Sequence, residues 1–108
     1  MNLYLDSTNN TKTIIRLDDQ EFLREVSSPR DQDVFGFLTQ TLKEQNLSFS
    51  DITTITVNPG PGTFTGTRIG VSIANALGFA LNLPVNGGHD PVEAVYASPP
   101  SITSPKAS

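Results

Sequence analysis

The residues best placed to do chemistry lie in one run, Gly60-Pro61-Gly62-Thr63-Phe64-Thr65-Gly66-Thr67-Arg68-Ile69-Gly70. A β-branched stretch precedes it and a helical pattern follows it. A Gly-rich turn at a helix N-terminus is an anion-binding position, because free backbone N–H groups and the helix dipole favour phosphate or carboxylate. The run is not a Walker A loop, since no Gly-Lys-Ser/Thr closes it. It is not a dinucleotide fingerprint either: the glycine spacing differs and no acid ends a suitable following strand. A phosphate-binding loop and a purely structural turn both remain open. Thr63 and Thr65 are nucleophiles by type, yet no His or Lys base lies near them in sequence. Holding the turn and capping the helix are the roles expected of them. Asp6 reads as a structural turn acid, and His89, after Gly87-Gly88, as a solvated loop residue. The chain has no Cys and one His, which excludes thiolate sites, disulfides and a His-rich metal site. No metal and no cofactor are expected.

Composition sets the frame for these residues. The chain has 108 residues, enough for one domain with a small core. Hydrophobic residues are 36% and charged residues 17%, too apolar and too weakly charged for a disordered chain. The formal net charge of −4 makes it a poor binder of phosphate backbones by itself. The N-terminus lacks a basic region and a long apolar run, so no signal peptide is expected. The most apolar stretch, Ile69 to Val85, is interrupted by Ser72, Asn75 and Asn82, so no membrane span is expected. A cytoplasmic protein is the expectation.

The elements that must position the run follow from patterning. Asn2 to Asp6, Lys12 to Leu17 and Glu21 to Ser27 read as three strands on short turns at 7–11 and 18–19. Ser28-Pro29-Arg30-Asp31 reads as a helix start, with Ser28 as N-cap. Val34, Phe35, Leu38 and Leu42 then share one helical face, and Asn46 ends the helix. Phe37 lies off that face. Thr53 to Asn58 is a β-branched strand. A second helix spans about Thr65 to Asn82, and Leu83-Pro84-Val85 a short last strand. Residues 98–108 have the composition of a disordered tail. The order predicts an α/β fold: a mixed sheet from a three-stranded meander plus parallel strands, with two main helices packed on it.

Winding the second helix at 100° per residue places Ile69, Ile73, Ala76, Leu77, Ala80 and Leu81 on one arc, with Gly66 and Gly70 beside them. That arc is the expected core face. The opposite arc holds Thr67, Arg68, Val71, Ser72, Asn75, Gly78 and Phe79. It carries one charge and two apolar side chains, so it reads as a contact with another protein in preference to a solvated, weakly polar face. Phe37 is a weaker candidate for the same contact.

The Gly-rich run resembles the signature of the TsaB (YeaZ-like) family of tRNA threonylcarbamoyladenosine synthesis. That signature is Gly-Pro-Gly-Ser-Phe-Thr-Gly, a variable residue, then Arg-Ile-Gly. Thr63 stands for the Ser, and Thr67 fills the variable place. Leu5-Asp6-Ser7-Thr8 is similar to the family's opening strand and turn, and Asp51-Ile52 also matches. Ala76 to Val85 resembles the family's GLALALNIP passage, and Pro91-Val92-Glu93-Ala94-Val95 the SLEAL start of its next helix. The resemblance covers about residues 2–97.

It implies an actin-like ATPase/RNase H-like fold and a non-catalytic subunit. That subunit pairs with a TsaD-type catalytic partner through the two helices of its first domain, with a TsaE-type ATPase joining them. The assembly transfers a threonylcarbamoyl group to adenosine beside the tRNA anticodon. The family has two such domains, and this chain is expected to hold the first, residues 1–97, without the second. The His-x-x-x-His metal motif of TsaD-type proteins is absent from the sequence. Two other readings stay open: a small phosphate- or nucleotide-binding module, and a homodimeric remnant of the fold.

Overall fold

The computed structural model describes residues 1–97. The expected tail at 98–108 lies outside the described residues. Three strands open the chain: β1 (Asn2–Asn9), β2 (Lys12–Leu17) and β3 (Gln20–Glu25). They are followed by α1 (Val34–Glu44), β4 (Thr54–Val57) and α2 (Phe64–Leu81). The sheet order is β3-β2-β1-β4. The β1–β2 and β2–β3 pairs are antiparallel; β1–β4 is parallel, with Leu3 facing Ile55 and Leu5 facing Val57. This is the mixed α/β sheet that the patterning predicts.

Alternation decides which sheet face is covered. Leu3, Leu5 and Ser7 of β1, Thr13, Ile15 and Leu17 of β2, and Ile55 and Val57 of β4 are buried. Val34, Leu38 and Leu42 of α1 and Val71 and Ala74 of α2 close the same core. Tyr4, Asp6 and Arg16 lie on the other face. There Arg16 stacks over the Tyr4 ring at 4.2 Å and pairs with Glu21 at 3.4 Å.

The chain departs from the sequence patterning at three local points. Strand β1 runs through Ser7 to Asn9, because the ladder continues past Asp6 with a register shift before Asn9 meets Lys12. Ser28 does not cap α1. Pro29–Asp31 forms a separate 3₁₀ turn, and Gln32 then turns extended. The cap is Asp33, whose carboxylate accepts the Gly36 amide at 2.9 Å. The last strand shrinks to isolated bridges of Val85, parallel to Ile55 and antiparallel to Gly88, and Asn86 engages the β4 edge beyond them. Its side chain accepts from Val57 N–H at 2.8 Å and donates to Val57 carbonyl at 3.0 Å.

The largest correction concerns α2. Its buried residues are Gly66, Thr67, Gly70, Val71, Ala74 and Gly78. Gly66, Gly70, Ala74 and Gly78 recur every four residues, a stripe of minimal side chains laid on the sheet. Ile69, Ile73, Leu77 and Leu81 are only partly buried, and Ala76 and Ala80 are exposed. Gly66 and Gly70 lie inside, as expected beside the core arc, but Thr67, Val71 and Gly78 of the arc expected to face outward are buried with them, and the large apolar residues of the expected core arc lie at the flank. The amphipathic rule sends the largest apolar surface inward. Here close backbone approach outweighs it, since only small residues let the helix sit this near β1. The same exchange occurs on α1: Phe35 is 49% exposed, while Phe37 packs against the core.

Candidate functional site

The Gly-rich run joins β4 to α2 across the end of β1, and its glycines are contact points. A side chain on Gly62 would meet Thr8 and the Thr67 hydroxyl; one on Gly66 would meet the Ser7 carbonyl; one on Gly70 would meet Ser7 Oγ. Ser7 Oγ donates to the Gly66 carbonyl at 2.7 Å in a buried site. Thr63 N–H and Thr63 Oγ1 both donate to the Thr8 carbonyl, at 2.8 and 3.0 Å. Thr63 thus ties the turn to β1 as expected, but its side chain does not cap α2. Thr65 is exposed.

Several of the turn's own polar groups are engaged. Gly60 N–H donates to Asn58 Oδ1 at 3.0 Å. The Pro59 and Gly62 carbonyls accept the Val95 and Ala97 amides. Gly60 has φ +107, a region open to glycine, and the Gly60–Pro61 bond is cis. Phe64 is exposed at 40%, and Arg68 lies 5.4 Å from its ring. The Thr67 hydroxyl is buried without a hydrogen-bond partner. These contacts make the run a packing joint between β1 and α2.

Asp6 stands at the same end of the sheet. Its carboxylate accepts from Thr8 Oγ1 at 2.7 Å, Thr8 N–H at 3.0 Å, Asn58 Nδ2 at 3.1 Å and Tyr4 OH at 3.4 Å. Partial burial pushes the carboxyl upward. The Thr8, Asn58 and Tyr4 hydrogen bonds together outweigh burial and hold it below the usual carboxylate range. Tyr4 is pushed up, by burial first and then by the Asp6 charge, against the lowering effect of Arg16. Asp6 is a turn acid that organises four donors. Among the described residues no three of His, Cys, Asp and Glu converge.

The predicted contact arc on α2 does not form one surface. Thr67, Val71 and Gly78 are buried, Gly78 beneath Val85. Asn75 is half-buried, its amide engaged with the backbone of Val92. Only Arg68, Ser72 and Phe79 of that arc are exposed, Phe79 at 91%. Phe79 stands at the rim of a small cavity that His89 also lines. His89 itself is exposed.

The continuous apolar surface lies elsewhere. Phe35, Ser72, Ile73, Ala76, Leu77 and Ala80 line an open groove of about 350 Å³ at the α1–α2 flank. Phe35 stacks on Phe49 at 5.9 Å, which fixes one wall. Winding the helix by hydropathy hid this groove. The signal that could have found it was the four-residue repeat of Gly66, Gly70, Ala74 and Gly78. Pro91 to Val95 is not the start of a helix; Val92 is held by Asn75 of α2, and Val95 N–H donates to the Pro59 carbonyl. No described helix is long and apolar enough to cross a membrane.

The family model described as "TsaD: tRNA N6-adenosine threonylcarbamoyltransferase" matches residues 27–96. The tRNA N6-adenosine threonylcarbamoyltransferase of Bacillus thuringiensis (strain Al Hakam) is 37% identical over 67 residues, 62% of this chain and 20% of that protein. The enzyme of the same description from Bacillus subtilis is 36% identical over 61 residues, 56% of this chain and 18% of that protein. Among solved structures, YeaZ from Pseudomonas aeruginosa superposes with TM-score 0.64 at 28% identity, covering 78% of this chain and 41% of that one. A protein described as similar to peptidase YeaZ from Pseudomonas aeruginosa gives TM-score 0.64 at 25% identity, covering 90% and 42%. The chain spans about a fifth of the length of the curated relatives it matches, and about two fifths of the solved ones. The sheet and two helices are those of an actin-like, RNase H-like domain.

Proposed function

The chain belongs to the tRNA N6-adenosine threonylcarbamoyltransferase (TsaD) family as a TsaB-like member, and on that premise we propose that it serves tRNA threonylcarbamoyladenosine synthesis as a non-catalytic scaffold. Residues 1–97 correspond in this reading to the first of two TsaB-like domains. The partner is a TsaD-type catalytic subunit, and a TsaE-type ATPase joins the pair.

The observation that carries the reading is the α1–α2 groove. Phe35, Ile73, Ala76, Leu77 and Ala80 leave an apolar, uncharged surface open on the two helices. Burying such a surface against a second helix pair is favourable at roughly 25 cal/mol per Å² of apolar area. The interface is therefore the groove, with Ser72 on its wall. Thr67, Val71 and Gly78 support α2 from beneath.

The test is co-purification with a TsaD-type protein, read by size-exclusion chromatography with light scattering. A heterocomplex that Ala76→Glu abolishes is the expected result. No complex at micromolar concentration overturns the proposal. A homodimer abolished by the same substitution would show instead that the groove closes on a second copy.

The phosphate-module reading loses ground to the contacts of the run. Gly62, Gly66 and Gly70 are used in packing, and the Gly60 and Thr63 amides are already hydrogen-bonded.

A further inference from the structure

Residues 92–97 form a strap outside the named strands, paired with the Gly-rich turn by one isolated bridge at Tyr96. Val92, Ala94 and Tyr96 are partly covered, while Glu93, Val95 and Ala97 are exposed, the period of two of an extended chain. Val95 N–H donates to the Pro59 carbonyl at 2.6 Å, and Ala97 N–H to the Gly62 carbonyl at 2.8 Å. Gly62 and Tyr96 pair as a parallel bridge. Any side chain on Gly60 would strike the Val95 carbonyl, so the two backbones touch.

The far end is held by a side chain that imitates a strand neighbour. Asn75 Oδ1 accepts Val92 N–H at 2.9 Å, and Asn75 Nδ2 donates to the Val92 carbonyl at 3.0 Å. The Tyr96 ring rests 4.7 Å from the ring of Phe64. Main-chain bonds with pockets for alternate side chains are the physics of strand addition.

This strap is weakly tied to the rest of the domain. Asn86 is anchored to the β4 edge, and residues 87–91, which link it to the strap, are all exposed. Asn86 and Gly87 have positive φ, and nothing crowds Gly87 or Gly88. A segment held by few bonds on an exposed link opens below the global unfolding free energy.

We propose that the Pro59–Gly62 edge, Asn75 and Phe64 form a strand-addition site for an extended peptide, with residues 92–97 as its releasable resident occupant. Once the strap leaves, the site offers two carbonyl acceptors, a bidentate amide and an aromatic ring. It fits a segment with aliphatic, small and aromatic residues at alternate positions, as in Val92, Ala94 and Tyr96. The residues matching Val92, Val95 and Ala97 must keep their N–H groups, so proline is excluded there. Nothing in this site involves the α1–α2 groove.

The probe is a fluorescent peptide with the sequence of residues 89–97, titrated by anisotropy against the full chain. Val95→Pro removes one strap donor and leaves the site intact. The peptide is expected to bind that variant about tenfold more tightly than the unaltered chain, because an occupied site lowers apparent affinity. Adding Asn75→Ala to Val95→Pro should weaken binding by about tenfold. Ala97→Pro removes a different one of the three strap donors and serves if Val95→Pro does not fold. Ala80→Glu, in the groove, should leave peptide binding unchanged. Concentration-dependent pairing of the unaltered chain, lost in both proline variants, would place a second copy's strap in the site and support it. The proposal is overturned if hydrogen exchange shows residues 92–97 released in a folded variant and the peptide still does not bind. Equal binding to the variant and the unaltered chain overturns it as well.

Discussion

Ser7 on β1 donates its hydroxyl to the carbonyl of Gly66 on α2 at 2.7 Å, across 59 residues of sequence. The bond is buried, and Gly70 lies so close that a Cβ there would meet the same hydroxyl. Strand and helix are joined through the smallest groups available. The Gly-rich run is the part of the chain that makes this approach sterically possible.

Gly70→Ala should therefore destabilise the fold by about 1–3 kcal/mol through overpacking against Ser7. Gly88→Ala meets open space and should change stability by less than about 0.5 kcal/mol. Urea denaturation of both variants decides it. Equal effects would contradict the packing role of Gly70.

Ser7→Ala removes a buried donor from the same joint. The Gly66 carbonyl keeps its helical position, so the expected loss is about 1 kcal/mol. Denaturation midpoints with an unchanged m-value would check it.

Val71→Glu and Ala76→Glu should behave in opposite ways. Val71 is buried, so an unpaired charge there should abolish folding. Ala76 is exposed, so Ala76→Glu should fold with native circular dichroism and lose the partner complex. A helix read by hydropathy alone predicts the reverse.

Asp6 gives a pH dependence with a defined sign. Its carboxyl is held below the ordinary value of about 3.9, so the folded state favours the charged form. The contribution is present above that value and is lost as pH falls through the lower folded pKa. Asp6→Asn should flatten the stability profile below about pH 4, measured by thermal unfolding across pH. A profile as steep as that of the unaltered chain would show that the four donors do not hold the carboxylate.

Sequence by itself determined much of this protein. Local rules are strong where neighbours along the chain decide: the β-branched Ile14 and Ile15 within Lys12 to Leu17, the turn at Asp18-Asp19, and the β-branched Thr54 to Val57. The run from Gly60 to Gly70 also marked the junction of strand and helix and carried the family resemblance. Tertiary structure decided what faces what. Whether α2 buries Ile73 and Leu77 or Gly70 and Ala74 depends on how near the helix sits to β1, and that distance is set by Ser7 and Thr8, some 60 residues away in the chain. Asn75 and Asn86 show the same limit. An Asn amide can bond to water, a partner or a backbone, and only the folded chain brings Val92 and Val57 within its reach. Hydropathy reports how much apolar surface a residue has; steric fit across the sheet decides which of it is buried.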